Sequence, residues 1–183
     1  MGALRHPTPD DAAAIHDLVV AGGVLDGNSV YCYLLICHDF AATSLVATDG
    51  TGLAGFVAAY RPPARPTTLF VWQIGVAPRA RRQGLGCRLL RRLLAAPGCA
   101  DVEFVEATIT PSNEASRRLF TRFAESLNAT WQEGPGFAAD LFGSGDRPGR
   151  QHEEERCFRI GPLATGRAAD DGFSRGGRND GDF

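Results

Sequence analysis

Lysine is absent: all 19 basic residues of this 183-residue chain are arginine. Schiff-base catalysis and a lysine general base are thereby excluded. Cysteine is sparse and irregular. The five residues (Cys32, Cys37, Cys87, Cys99, Cys157) are odd in number and lack C-x-x-C spacing. They suggest neither a disulfide framework nor a zinc site, no metal is expected, and a reducing, cytoplasmic setting fits. No apolar run approaches the ~20 residues of a membrane span. Met1–Thr8 has no signal-peptide core either. Charge of one sign is also lacking, and a net −2 makes no electrostatic case for nucleic acid or an anionic membrane. No Gly-Lys-Ser/Thr occurs, so a Walker loop is excluded. What remains is 44% hydrophobic, ordinary for one globular domain with a full core. The abundance of arginine, alanine, glycine and proline reads as genome composition.

Caps, breakers and periodicity then order the chain. Thr8-Pro9-Asp10-Asp11 opens a helix to about Gly22, with Thr8 as cap and Pro9 in the first turn. Asn28 or Ser29 caps a second helix over Val30–Phe40. Strands follow at Ser44–Ala47, Leu53–Tyr60 and Leu69–Val76, the first two joined by the turn Asp49-Gly50-Thr51-Gly52. A helix spans about Gly84–Ala96, a strand Val102–Thr110, and a helix Glu114–Leu127 capped by Ser112 or Asn113. A weak strand at Ala129–Gln132, a Gly/Pro-rich loop at Gly134–Arg150 and a last strand at Cys157–Ile160 complete the domain. This order predicts a mixed α/β (α+β) domain over residues 4–162 with a mostly antiparallel central sheet. Residues 163–183 cannot bury a core and predict a disordered tail.

The most informative segment runs from Thr68 to Leu94. It reads as an apolar strand, a basic turn containing Gly84 and Gly86, and an amphipathic helix with a Leu89/Leu90/Leu93/Leu94 stripe. Such a turn aims several backbone N–H groups at one point, and the helix adds the positive end of its dipole. The two glycines let a pyrophosphate approach with no Cβ in the way. A Rossmann site fits worse, because there is no third glycine and no acidic residue closing a βαβ unit. The pattern Arg81-x-x-Gly84-x-Gly86 after a strand resembles the acetyl-CoA site of the GCN5-related N-acetyltransferases (GNAT). That resemblance implies the GNAT acyl-CoA N-acyltransferase fold, with helices on both faces of the sheet and acetyl-CoA as co-substrate. It places Ile74, Val76, Arg81, Arg82, Gln83, Gly84, Leu85 and Gly86 at the cofactor, with a backbone N–H near Ile74–Val76 polarising the thioester. In Asn113-Glu-Ala-Ser116-x-x-Leu119-Phe120, Asn113 and Ser116 would reach the CoA arm, although Asn113 is equally a plain helix cap. Phe120 stands where relatives often carry a tyrosine that protonates the leaving thiolate. Here solvent or another group does so, or the thiolate leaves unprotonated.

Three further stretches resemble a narrower branch of that family, the diaminobutyrate acetyltransferases of ectoine biosynthesis. They are Leu25–Leu35, Leu69–Gln73 and Glu106–Phe120, in that order along the chain. The branch implies a small diamino acid as substrate, N4-acetylation by direct transfer in a ternary complex, and a homodimer. An ammonium holds its lone pair in a bond to hydrogen, so a base is needed. Glu106 is the candidate, directly or through a water. Asp26 would bind a substrate ammonium, with Asn28 beside it in the same block. Trp72 would wall the pocket, and His152 would hold the carboxylate or relay a proton. Tyr31 and Tyr33 lie two apart on a helix and cannot face the same way; Tyr31 is taken as the pocket residue. Two other readings stay open: a GNAT enzyme for another small amine or a peptide N-terminus, and a CoA-binding module without catalysis.

Overall fold

A computed structural model describes residues 3–23, 27–143 and 152–164. Asp26 and nearly all of the expected tail lie outside them. The elements are β1 (Leu4–Arg5), α1 (Ala12–Gly22), α2 (Val30–Asp39), β2 (Leu45–Asp49), β3 (Gly52–Tyr60), β4 (Thr68–Val76), α3 (Leu85–Leu94), β5 (Phe104–Ile109), α4 (Glu114–Ser126), β6 (Trp131–Phe137) and β7 (Glu155–Ile160). They match the predicted order with one addition, the short β1. The seven strands form one sheet in the order β1-β2-β3-β4-β5-β7-β6. The β4–β5 pair is parallel and the other pairs are antiparallel.

Helices cover both faces, and each does so through its apolar stripe. On one face Ile15 and Val19 of α1 and Tyr33 and Ile36 of α2 pack on Val46, Phe56 and Ala58. On the other, Leu85, Leu89 and Leu93 of α3, with Phe120 and Phe123 of α4, pack on Val57, Val71, Val105, Ala107 and Phe158. Each such leucine, fully buried, contributes about 1.5–3 kcal/mol of transfer free energy. Arg88, Arg91 and Arg92 occupy the outer side of α3.

Three boundaries differ from the sequence expectation. β1 was not expected: it is two residues long and pairs only with β2, and Arg5 is held there by a bidentate ion pair to Asp11, both contacts 2.7 Å. β6 runs through Gly134-Pro135-Gly136 rather than stopping before it. An edge strand with a register shift tolerates proline, and Gly136 lies so close to the Glu155 carbonyl that no Cβ fits. Leu163, placed in the tail, is buried in the core, and its N–H donates to the Glu103 carbonyl at 2.7 Å.

Candidate active site

The parallel pair opens into a wedge. β4 and β5 are in register only from Thr68–Phe104 to Phe70–Glu106. Beyond that, β4 continues to Val76 along β3, and β5 continues to Ile109 along β7. From Phe70 to Val76 the open edge is about 20 Å long at about 3.3 Å per residue, the scale of a pantetheine arm. The Ala77 N–H donates to Ala54 of β3. Alternation along the strand therefore turns the N–H groups of Ile74 and Val76 the other way, into the wedge. The Arg81 Nε–H donates to the Val76 carbonyl at 3.2 Å, as this orientation requires.

α3 follows β4 and α4 follows β5, so both helices begin at the wedge mouth. The turn before α3 has left-handed backbone at Arg82 (φ 61°) and Gly84 (φ 72°). A Cβ on Gly84 would meet no protein atom within 4 Å, so its outer side is open to a ligand. No acceptor among the described residues takes the N–H groups of Arg82, Gln83 or Gly84. The first-turn N–H groups from Leu85 onward lack intrahelical partners by construction. Free amides, a helix N-terminus and neighbouring arginines fit a pyrophosphate. The Gln83 side chain donates to the Arg79 carbonyl at 3.0 Å and stiffens the turn. Gly86 is buried, and a Cβ there would lie 3.0 Å from Leu119, so its missing side chain also lets α3 pack closely on α4. Asn113 caps α4 by accepting from the Ser116 N–H at 3.1 Å. The capping reading of Asn113 therefore holds, and Ser116 keeps its hydroxyl half-exposed one turn before the buried Phe120.

Trp72, the expected pocket wall, lies on the α1/α2 face. In the β3–β4 ladder Ala58 pairs with Gln73 and Ala59 with Val71, which leaves Trp72 as a bulge. Trp72 and Gln73 consequently share the α1/α2 face. Trp72 packs against the cluster there, and the Tyr33 hydroxyl donates to Gln73 Oε1 at 3.0 Å. Tyr33 also interacts with Asn28, and its ring lies 6.1 Å from that of Trp72. Tyr31, the expected pocket residue, is 67% exposed, whereas Tyr33 is fully buried against the sheet. Burial raises the Tyr33 pKa, so its hydroxyl acts as a donor and not as a base.

Glu106 ends the paired part of β5 and so sits at the wedge apex. Val105, Ala107 and Ile109 belong to the α3/α4 core; Glu106 therefore points to the α1/α2 face. Only 5% of it is exposed. Arg65 Nη2 donates to Oε2 at 3.0 Å, and Arg159 Nη1 donates to Oε1. The Arg159 guanidinium also lies 3.8 Å from the centroid of the Phe104 ring. Burial pushes the Cys157 thiol up, and the nearby Glu106 charge adds to the rise. Burial likewise raises Cys87 at the start of α3. Neither sulfur is an activated thiolate. His152 stacks on Phe142 with ring centroids 3.9 Å apart. Its neighbour Glu153 accepts from the Ser112 N–H at 3.0 Å, which ties this segment to the start of α4. Arg65, Arg159 and Gln73 were not among the sequence candidates, and Tyr33 was weighed there against Tyr31. The absence of lysine was a usable signal for the arginines, because any cationic partner of a buried carboxylate had to be arginine or histidine. Among the described residues no group of His, Cys, Asp and Glu is arranged to hold a metal ion, and no helix is long and apolar enough to cross a membrane.

The model of the acetyltransferase (GNAT) family matches residues 26–124, and the chain belongs to that family. Within it, the similarity is to L-2,4-diaminobutyric acid acetyltransferases. That of Shouchella clausii is 44% identical over 162 residues, 88% of each chain. That of Halalkalibacterium halodurans is 45% identical over 157 residues, 86% of this chain and 80% of the relative. The diaminobutyrate acetyltransferase of Paenibacillus lautus, solved with L-2,4-diaminobutyric acid and coenzyme A, matches with a TM-score of 0.85 at 38% identity, over 92% of this chain and 99% of that one.

Proposed function

We propose that this chain transfers the acetyl group of acetyl-CoA to the 4-amino group of L-2,4-diaminobutyrate, giving N4-acetyl-L-2,4-diaminobutyrate, the ectoine precursor. The observation that carries the reading is the wedge between β4 and β5, with amides for the donor along one edge and a buried carboxylate at its apex. The likeness to the Paenibacillus lautus enzyme, solved with this amino acid and coenzyme A, supports the substrate.

The turn Arg81–Gly86 and the start of α3 receive the pyrophosphate. Ile74 and Val76 direct N–H groups at the pantetheine arm and the thioester carbonyl, whose developing negative charge they stabilise. Asn113 and Ser116 border the arm from α4. Trp72 and Asn28 line the acceptor side, with Asp26 for an ammonium and His152 near the α4 end. Glu106 takes one proton from the substrate ammonium. The freed lone pair forms the C–N bond, the C–S bond breaks, and the second amine proton leaves with the CoA thiolate as thiol. Direct transfer is favoured over an acyl-enzyme because the cysteines near the wedge are held protonated by burial. The family's usual tyrosine is replaced by the buried Phe120, so the second amine proton reaches the thiolate through water or through a relay such as the Ser116 hydroxyl, which gives up its own proton and takes the amine's.

The chain acts in the cytoplasm, as five unbridged cysteines suggest. It works as a homodimer, a reading supported by the exposed Val30, Tyr31, Leu34 and Leu35 along α2. Light scattering tests the latter. CoA release with L-2,4-diaminobutyrate, ornithine, lysine and 2,3-diaminopropionate, with NMR of the product, tests the reaction. Preference for another amine, or acetylation at N2, would overturn the assignment.

A further inference from the structure

We infer that Arg65 is the receptor for the substrate's α-carboxylate, and that engaging it releases Glu106 to the substrate amine; this rests on the diaminobutyrate reading above. In the structure both oxygens of Glu106 are taken by guanidinium groups. A carboxylate so occupied has to part with one partner before it can receive an ammonium proton.

The two arginines are not equivalent. Arg159 is pinned twice, by Glu106 and by the face of Phe104, and is 29% exposed. Arg65 reaches Glu106 through Nη2 alone, and half of its side chain is exposed. Its backbone is fixed by the Thr68 N–H donating to the Arg65 carbonyl. The loop is clamped at Arg61, whose guanidinium forms two bonds to Asp101 at 2.8 and 2.7 Å. A long cationic side chain on a fixed anchor can change partner without moving the fold.

The substrate offers the matching pair of charges. An amino acid that brings its 4-ammonium to the wedge apex carries a carboxylate three carbons away, and the chain has no lysine to receive it. Of the other guanidiniums, Arg81 is engaged with the Val76 carbonyl, Arg79 with Asp49 and the Leu53 carbonyl, and Arg156 with Glu133 and Glu154, while Arg82 stands on the turn assigned to the pyrophosphate. His152 is tied to the α4 side through Glu153 and Ser112. If Arg65 moves from Glu106 to the substrate carboxylate while Glu106 accepts the ammonium, one ion pair is exchanged for two. Guanidinium and carboxylate also suit each other geometrically, since the fork can bind both oxygens. Glu106 is thus masked until a substrate with a carboxylate arrives.

The test compares L-2,4-diaminobutyrate with 1,3-diaminopropane, which has the same amine spacing and no carboxylate. Full-length wild type, Arg65→Ala and Arg65→Lys are assayed by CoA release. The wild type is expected to prefer diaminobutyrate. Arg65→Ala should raise KM for diaminobutyrate about 10- to 100-fold, the loss of a charge-assisted contact. It should leave KM for acetyl-CoA unchanged and raise turnover of 1,3-diaminopropane, because Glu106 is no longer masked, so that the preference collapses. Arg65→Lys should recover part of it. Equal loss on both amines would make Arg65 a mere support for Glu106 and overturn the inference, as would no loss on either. A wild type that acetylates another amine and ignores diaminobutyrate would instead remove the substrate reading.

Discussion

Glu106→Gln separates proton transfer from architecture, because it keeps the side-chain shape and removes the charge. Its effect on stability is bounded by the ion-pair geometry. Removing one partner of a fully buried pair costs about 3–5 kcal/mol. Here the carboxylate is buried, but its partners Arg65 and Arg159 are 51% and 29% exposed. Water can solvate both guanidiniums, so the expected cost is about 1–2 kcal/mol after screening. For a domain of this size that lowers Tm by roughly 2–8 °C. The effect on rate is larger. Loss of a positioned general base lowers kcat by about 10²- to 10⁴-fold, which is about 3–5 kcal/mol of barrier. CoA binding should not change, because the contacts proposed for it come from β4, the Arg81–Gly86 turn and α3. The assay is thiol release at saturating acetyl-CoA, run well below the variant's Tm, with calorimetric titration of CoA alongside. A kcat within about threefold of wild type, in a folded variant that binds CoA, would refute Glu106 as the proton acceptor. Loss of CoA affinity in parallel with kcat would show that it only holds β4 and β5 together.

Three other outcomes are expected. Gly84→Ala places a Cβ at φ 72°, costing about 1–2 kcal/mol; KM for acetyl-CoA should rise while KM for the amine stays fixed, and an unchanged acetyl-CoA KM would argue against ligand approach at this turn. Tyr33→Phe removes the hydroxyl that donates to Gln73 and should lower unfolding free energy by about 1–2 kcal/mol in urea titrations, with a reduced kcat/KM for the amine. Asp11 is held below the usual carboxylate range, chiefly by the Arg5 side chain, against an opposing effect of burial. A depressed folded value adds stability above the unfolded value of about 4; that stability is lost as pH falls through the folded value. Urea titrations from pH 6 to pH 3 should therefore show a fall on acidification that Asp11→Asn partly abolishes.

The parts of the site that were legible in the sequence are the local ones. The strand, turn and helix from Thr68 to Leu94 carry their own signals in glycine placement and leucine spacing, and the caps Ser29 and Asn113 fall at the expected helix starts. The helical period shows that Tyr31 and Tyr33 diverge, but not which one is inside. The outer side of α2 is itself apolar, with Val30, Leu34 and Leu35 partly exposed, so hydrophobicity could not decide. The partners of Glu106 are 41 and 53 residues away along the chain. Such pairs are made by β4–β5–β7 adjacency, a property of topology that no local pattern encodes. β6 was cut short for the opposite reason: Gly134-Pro135-Gly136 is a strong local signal for a loop, and the tertiary fit against β7 overrides it.

The bulge at Trp72 links these observations. A strand places alternate side chains on opposite faces, and β4 must satisfy two demands at once. Leu69 and Val71 have to enter the α3/α4 core, while farther along Ile74 and Val76 pack against that same core. From Val71 to Ile74 is an odd number of steps, which strict alternation would send to opposite faces. One extra residue resolves the conflict by putting Trp72 and Gln73 together on the α1/α2 face. It also places them just past Phe70, the residue paired with Glu106 where β5 leaves β4. Deleting the bulge would turn either Leu69 and Val71 or Ile74 and Val76 out of the core. The inserted residue therefore sets which side chains β4 shows to the α1/α2 face, on the same strand whose other edge is left open by β5.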